Sequence, residues 1–146
     1  MNGQYQLKAN NQNFQFSDYT LLATTTDGTA TTMTMDGSTP SVSNTVTVPV
    51  GSTFHCQARV VARSNTAGEH AGFMRYFIIQ NTISAGMVGT EQVLGTDLGS
   101  NGGLPPTGWN IDVSANLGLG AIEFTVTGVS ATTIDWFAKV ESIEVS

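Results

Sequence analysis

The chain has 146 residues, 40% of them hydrophobic and only 11% charged, with a net charge of −6. That length suits one domain able to bury an ordinary core without a metal or disulfide staple. Five basic residues against eleven acidic ones argue against a nucleic-acid surface, where Lys and Arg must replace the counterions on phosphate.

Polarity comes mainly from Thr, Ser, Asn, Gln and Gly, and Thr suits a pleated surface better than a helix because its branched Cβ stiffens χ1. Cys56 is the only cysteine, which excludes an intrachain disulfide and predicts synthesis in a reducing compartment. No apolar run follows Met1, so no signal peptide is expected, and no stretch is long and apolar enough to make a membrane a partner.

Residues 1–18 read as a polar arm or edge strand punctuated by Tyr5, Leu7, Phe14 and Phe16. Strands are expected over 19–25 and 30–35, joined through the hairpin signal Asp27-Gly28. A short strand over 45–48 ends at Pro49, and Val50-Gly51 makes a turn. Residues 53–63 give the clearest alternation: Phe54, Cys56, Ala58, Val60 and Ala62 on one face, and His55, Gln57, Arg59, Val61 and Arg63 on the other. A polar loop at 64–68 leads into a strand over 71–80, which is apolar on both parities: Phe73, Phe77 and Ile79 against Met74, Tyr76 and Ile78. Such a strand is expected to be covered on both faces, one cover being another subunit.

A weak strand is expected over 92–96 and a loop over 99–106. Trp109, Ile111 and Val113 alternate as a strand; Ile122, Phe124 and Val126 do so in the next. The last strand carries Ile134, Trp136, Ala138 and Val140 on one face, then shifts to Ile143 and Val145, which predicts a bulge or bend near Glu141-Ser142. No sustained helical period occurs. About eight short strands with turn signals between them predict an antiparallel β-sandwich of jelly-roll type, with the sandwich proper over 19–146.

Chemistry is sparse. His55 and His70 are the only candidate bases and neither has a nucleophile nearby in the pattern. Cys56 has the parity of a buried thiol, which behaves as a small hydrophobe. No Cys or His spacing suits a metal, and Asp36-Gly37-Ser38 lacks the alternating ligands of a calcium loop. Glu123, Glu141 and Glu144 are expected to be solvated rather than paired for glycosidic chemistry. Trp109 and Trp136 alternate with aliphatic residues, which favours core packing over sugar stacking. The expectation is a non-enzyme without cofactors. Tyr5, Leu7, Phe14, Phe16, Arg59 and Arg63 are the candidate contacts to a partner protein, and Met74, Tyr76 and Ile78 the candidate contacts between copies.

A run of segments adds a setting: TDGTATTM (26–33), MDG (35–37), VPVGSTF (48–54), ARVVAR (58–63), GWNIDV (108–113), IEFTVTG (122–128) and IDWFAKVE (134–141). Their order and spacing resemble a β-sandwich domain of tailed-bacteriophage virion proteins, found in fibre and tail tips and in small accessory structural proteins. The resemblance covers about residues 19–145. It implies a virion component made in the host cytoplasm, without catalytic residues, commonly a homotrimer. The short lead-in without a shaft leads us to expect a capsid decoration or cement protein bound to the major capsid protein. The alternative is a receptor-binding fibre tip, with loops 64–70 and 97–108 meeting host polysaccharide.

Overall fold

The computed structural model describes residues 4–9, 12–82, 86–93 and 97–146. It is all-β and has eleven strand segments: β1 (Gln4–Ala9), β2 (Gln12–Thr25), β3 (Thr31–Thr32), β4 (Val46–Thr47), β5 (Thr53–Ser64), β6 (His70–Thr82), β7 (Gly86–Val93), β8 (Leu98–Gly99), β9 (Asn110–Asn116), β10 (Ala121–Thr127) and β11 (Ile134–Val145). Three of these are only two residues long, so eight carry the architecture. Every pairing is antiparallel, and two sheets face each other as a β-sandwich.

The large sheet runs β1-β2-β11-β5-β6-β7, with β8 beside β6. The small sheet has β10 at its centre, β9 on one side, and the short β3 and β4 end to end on the other. Alternation dictates the core. The odd-numbered residues of β2 and β6 and the even-numbered residues of β5 and β11 turn inward, where Leu21, Phe54, Val60, Phe73, Phe77, Trp136 and Val140 meet Ile111, Ile122, Phe124 and Val126 of the small sheet. Phe77 and Phe124 cross the gap edge to face with centroids 5.4 Å apart. Asn81 also spans the gap, its Nδ2 donating to the Val48 carbonyl at 2.7 Å. Both Trp residues are core, as their alternation predicts: Trp136 Nε1 donates to Thr25 Oγ1 at 3.0 Å, and the two indoles lie 5.8 Å apart.

Several readings of the sequence need correction. Asp27-Gly28 does not close a hairpin. The Asp27 carboxylate accepts from Thr29 N at 2.7 Å, and the chain crosses to the other sheet, where β3 pairs with β10. The strand expected over 30–35 shrinks to two residues plus a bridge between Thr34 and Leu22. The strand expected over 92–96 is instead β7, earlier in the chain, and 94–96 lie outside the described residues. β7 is an edge strand in which Gly89, with no side chain, lies against Ile79, so it has little periodicity to read.

The last strand has no bulge. β11 keeps an unbroken register with β2 and β5 from Ile134 to Val145. Its inward parity persists through Ser142 and Glu144, both buried, while Ile143 is exposed. The expectation that Glu144 is solvated is therefore also corrected. Ser142 Oγ donates to its Oε1 at 2.7 Å and Tyr19 Oη at 3.3 Å, which lets a carboxylate occupy the core parity. Likewise β2 runs unbroken across residues 18 and 19, so Phe14 and Phe16 belong to a strand held by β11.

Candidate functional site

The small sheet covers the inner face of the large one. The outer face has no layer over it among the described residues, and it is there that the sequence-derived candidates meet. Cross-strand register arranges its side chains in rows that run across β2, β11, β5 and β6. The end row is Phe14, Val145, Thr53 and Gln80. Next comes an apolar row, Phe16, Ile143, His55 and Ile78. Then follow an acidic row, Asp18, Glu141, Gln57 and Tyr76, and a basic row, Thr20, Lys139, Arg59 and Met74. A second apolar row holds Leu22, Phe137, Val61 and Gly72, and the last row holds Thr24, Asp135, Arg63 and His70.

Phe16, Leu22, Val61, Met74, Ile78, Phe137 and Ile143 on these rows are all exposed large apolar residues, with Val61 58% accessible and Ile78 49%. Scattered apolar exposure is ordinary, but contiguous rows on one face mark an interaction surface. A hollow of about 340 Å³ indents this face between Phe16, Asp18, His55, Tyr76 and Ile143. His55 and Tyr76 stand with ring centroids 6.4 Å apart.

The charges between the apolar rows pair within the chain. Arg59 Nη2 lies 3.0 Å from Glu141 Oε2, and Lys139 Nζ lies 3.4 Å from Glu141 Oε1 and 3.7 Å from Asp18 Oδ2. At these exposures such pairs contribute little to folding, at most about 1 kcal/mol each. Three of the five basic residues and three of the eleven acidic ones lie on the six rows, so the net charge of −6 resides entirely elsewhere.

Below the acidic row the floor is inert. Burial pushes the Cys56 thiol far up, aided by the nearby Glu144, which favours the protonated thiol. Burial likewise raises the Tyr19 hydroxyl, to about 12, with the Glu144 charge adding to the shift. Glu123, Glu141 and Glu144 are divided among different surfaces. Glu123 accepts from Thr32 Oγ1 and Asn116 Nδ2 on the small sheet, Glu141 sits on the outer face, and Glu144 lies in the core. No group of three or more His, Cys, Asp or Glu among the described residues suits a metal ion.

Phe14, Phe16, Arg59, Arg63, Met74, Tyr76 and Ile78, which the sequence assigned to two surfaces, thus share one. β1 pairs Tyr5 with Phe16 and Leu7 with Phe14, while the side chains of Tyr5 and Leu7 lie outside the described part of the structure. The sequence reading missed Phe137, Ile143, Asp18 and Lys139. Phe137 carried a usable signal, an aromatic at the outward parity of a strand with an apolar inward face.

Loops 64–70 and 97–108 do converge, on a hollow of about 560 Å³ bordered by Glu69, Ser100, Asn101 and Trp109. Trp109 is 5% exposed and so presents no stacking plane, and its buried Nε1 has no hydrogen-bond acceptor among the described residues. Another residue the sequence reading missed is Arg75. It points inward from β6, buried, and its guanidinium makes two bonds to Asp97, at 2.6 and 3.0 Å. Comparison of the chain with protein-family models, curated proteins and solved structures finds no match in any of the three, so the geometry of this face carries the functional reading.

Proposed function

We propose that this protein is a structural, non-catalytic component that works by docking through the outer face of its large sheet. In the setting its sequence resembles, it is a decoration protein on the capsid of a tailed bacteriophage. The observation that carries the docking role is the uncovered face itself, with apolar rows flanking a band of paired charge. A protein that binds only the assembled shell stabilises that shell by mass action. The virion setting rests on the ordered segments between 26 and 141 and on nothing in the site. Mass spectrometry of purified particles tests the reading: a decoration protein is expected at hundreds of copies, and a count of a few copies overturns it.

One observation favours a second reading, a fibre-tip domain. The hollow between loops 64–70 and 97–108 is bordered by the polar side chains of Glu69, Ser100 and Asn101, which suit a ligand rich in hydroxyls. On that reading the purified protein blocks phage adsorption to host cells, and Asn101→Ala weakens the block. Absence of blocking at saturating protein removes it.

A further inference from the structure

We infer that the outer face binds a second copy of this chain, stacked face to face about a two-fold axis that runs between the acidic and basic rows. This rests on the docking role proposed above and names what covers that face; a dimer formed this way meets the shell through its other surfaces.

The argument is one of order. Along the strands the rows read apolar, acidic, basic, apolar. A two-fold axis lying in the interface, parallel to the rows and midway between the charged pair, carries each row onto its opposite number. The basic row of one copy then covers the acidic row of the other, and each apolar row covers the other apolar row. On β11, Lys139 meets Glu141 of the second copy, and Phe137 meets its Ile143. On β2, Leu22 meets Phe16 of the second copy. Ile78, the bulky exposed end of its row, is set against Gly72, which offers room rather than a clash. Such self-complementarity is what a two-fold interface requires. Strands related this way run antiparallel, which suits aligned sheet packing with a twist of about 30°.

Charge selects the same partner. Two copies that each carry −6 repel over most of their surfaces, but this face contributes equal numbers of both signs. The area is sufficient too. Four strands of twelve or more residues at about 4.8 Å spacing and 3.3 Å rise span roughly 750 Å². Stable interfaces take about 600–1,000 Å² per partner.

The test uses two charge variants of the whole chain. Arg59→Glu with Lys139→Glu makes both middle rows acidic; Asp18→Lys with Glu141→Lys makes both basic. The wild type is expected to sediment at twice the 15.4 kDa chain mass. Each variant alone is expected to dimerise at least tenfold more weakly, and an equimolar mixture to recover the dimer as a heterodimer, an outcome that also proves both variants folded. Ile143→Asp, which sets a charge against the second apolar row, is expected to give a folded monomer. A monomeric or trimeric wild type overturns the inference, since a three-fold axis cannot lay this face on itself; so does a mixture no tighter than either variant. If the wild type is monomeric but the variants lose incorporation into particles, the face docks another protein: the second copy falls and the docking role stands. If the variants dimerise like the wild type and enter particles normally, both fall.

Discussion

Two residues bind charge in ways that make clear demands on the fold. Arg75 is buried with Asp97 as its carboxylate partner and the Met74 carbonyl as a further acceptor at 3.1 Å. Removing one half of such a pair leaves a desolvated charge, which costs more than the intact pair contributes. Asp97→Ala is therefore expected to destabilise the protein by about 3 kcal/mol, at the low end of the range because Met74 still holds the guanidinium. Urea denaturation with an unchanged m-value checks this. Asp36 is a hub for the loop at 36–44: Ser38 N and Oγ donate to its Oδ1 at 3.0 and 2.8 Å, and Asn44 Nδ2 at 2.9 Å. Those donors hold its carboxyl down at about 2. A depressed folded-state value means that the group's contribution is intact above the ordinary carboxylate value of about 4 and is lost as the pH falls toward 2. Amide protection factors in this loop, taken against the intrinsic exchange rate at each pH, are expected to hold at pH 5 and to fall between pH 4 and 2, and Asp36→Asn is expected to remove that acid step.

At the scale of the element, β11 is the seam of the molecule, paired along its whole length with β2 and β5. The loop that leads into it packs tightly. A Cβ at Gly128 would collide with Thr25 Oγ1, the acceptor for Trp136, and would come within 2.9 Å of Ile134 Cδ1. Gly128→Ala is expected to cost about 2 kcal/mol through overpacking and a displaced Trp136 bond. That loss corresponds to a drop in Tm of about 4–8 °C for a domain of this size, with a changed near-ultraviolet signal from the indole. β11 also explains a misreading. Ser142 and Glu144 at inward positions, with Ile143 outward, look in the sequence like a parity switch, because hydrophobicity is the signal by which parity is read. The register shows that parity held and chemistry changed: a buried hydrogen-bonded carboxylate on one side, an exposed isoleucine on the other. The hairpin misread at Asp27-Gly28 has a similar root, since an Asx turn uses the same residues as a hairpin turn and only the pairing partner differs.

For the whole molecule, folding and the proposed docking draw on different faces of one sheet. Phe137 and Ile143 are 48% and 45% exposed, so neither is central to the core. The double variant Phe137→Ser, Ile143→Ser is expected to unfold within about 1 kcal/mol of the wild type per site, yet to lose self-association in sedimentation. A large fall in Tm instead would mean that these residues support the fold. The sequence alone determined the all-β class, the inward residues of β5, β10 and the first half of β11, the core placement of both Trp residues, and most of the individual outer-face candidates. Those features are local: a period of two in side-chain chemistry survives whatever the strand pairs with. Only the tertiary structure decided that β3 leaves the first sheet, that Arg75 and Glu144 are buried, and that arm, arginine and β6 candidates fall on one face in an apolar, acidic, basic, apolar order. That order depends on the register of strands as far apart as 16, 143, 55 and 78. Register is set by pairing across the whole chain, and no single window of sequence contains it.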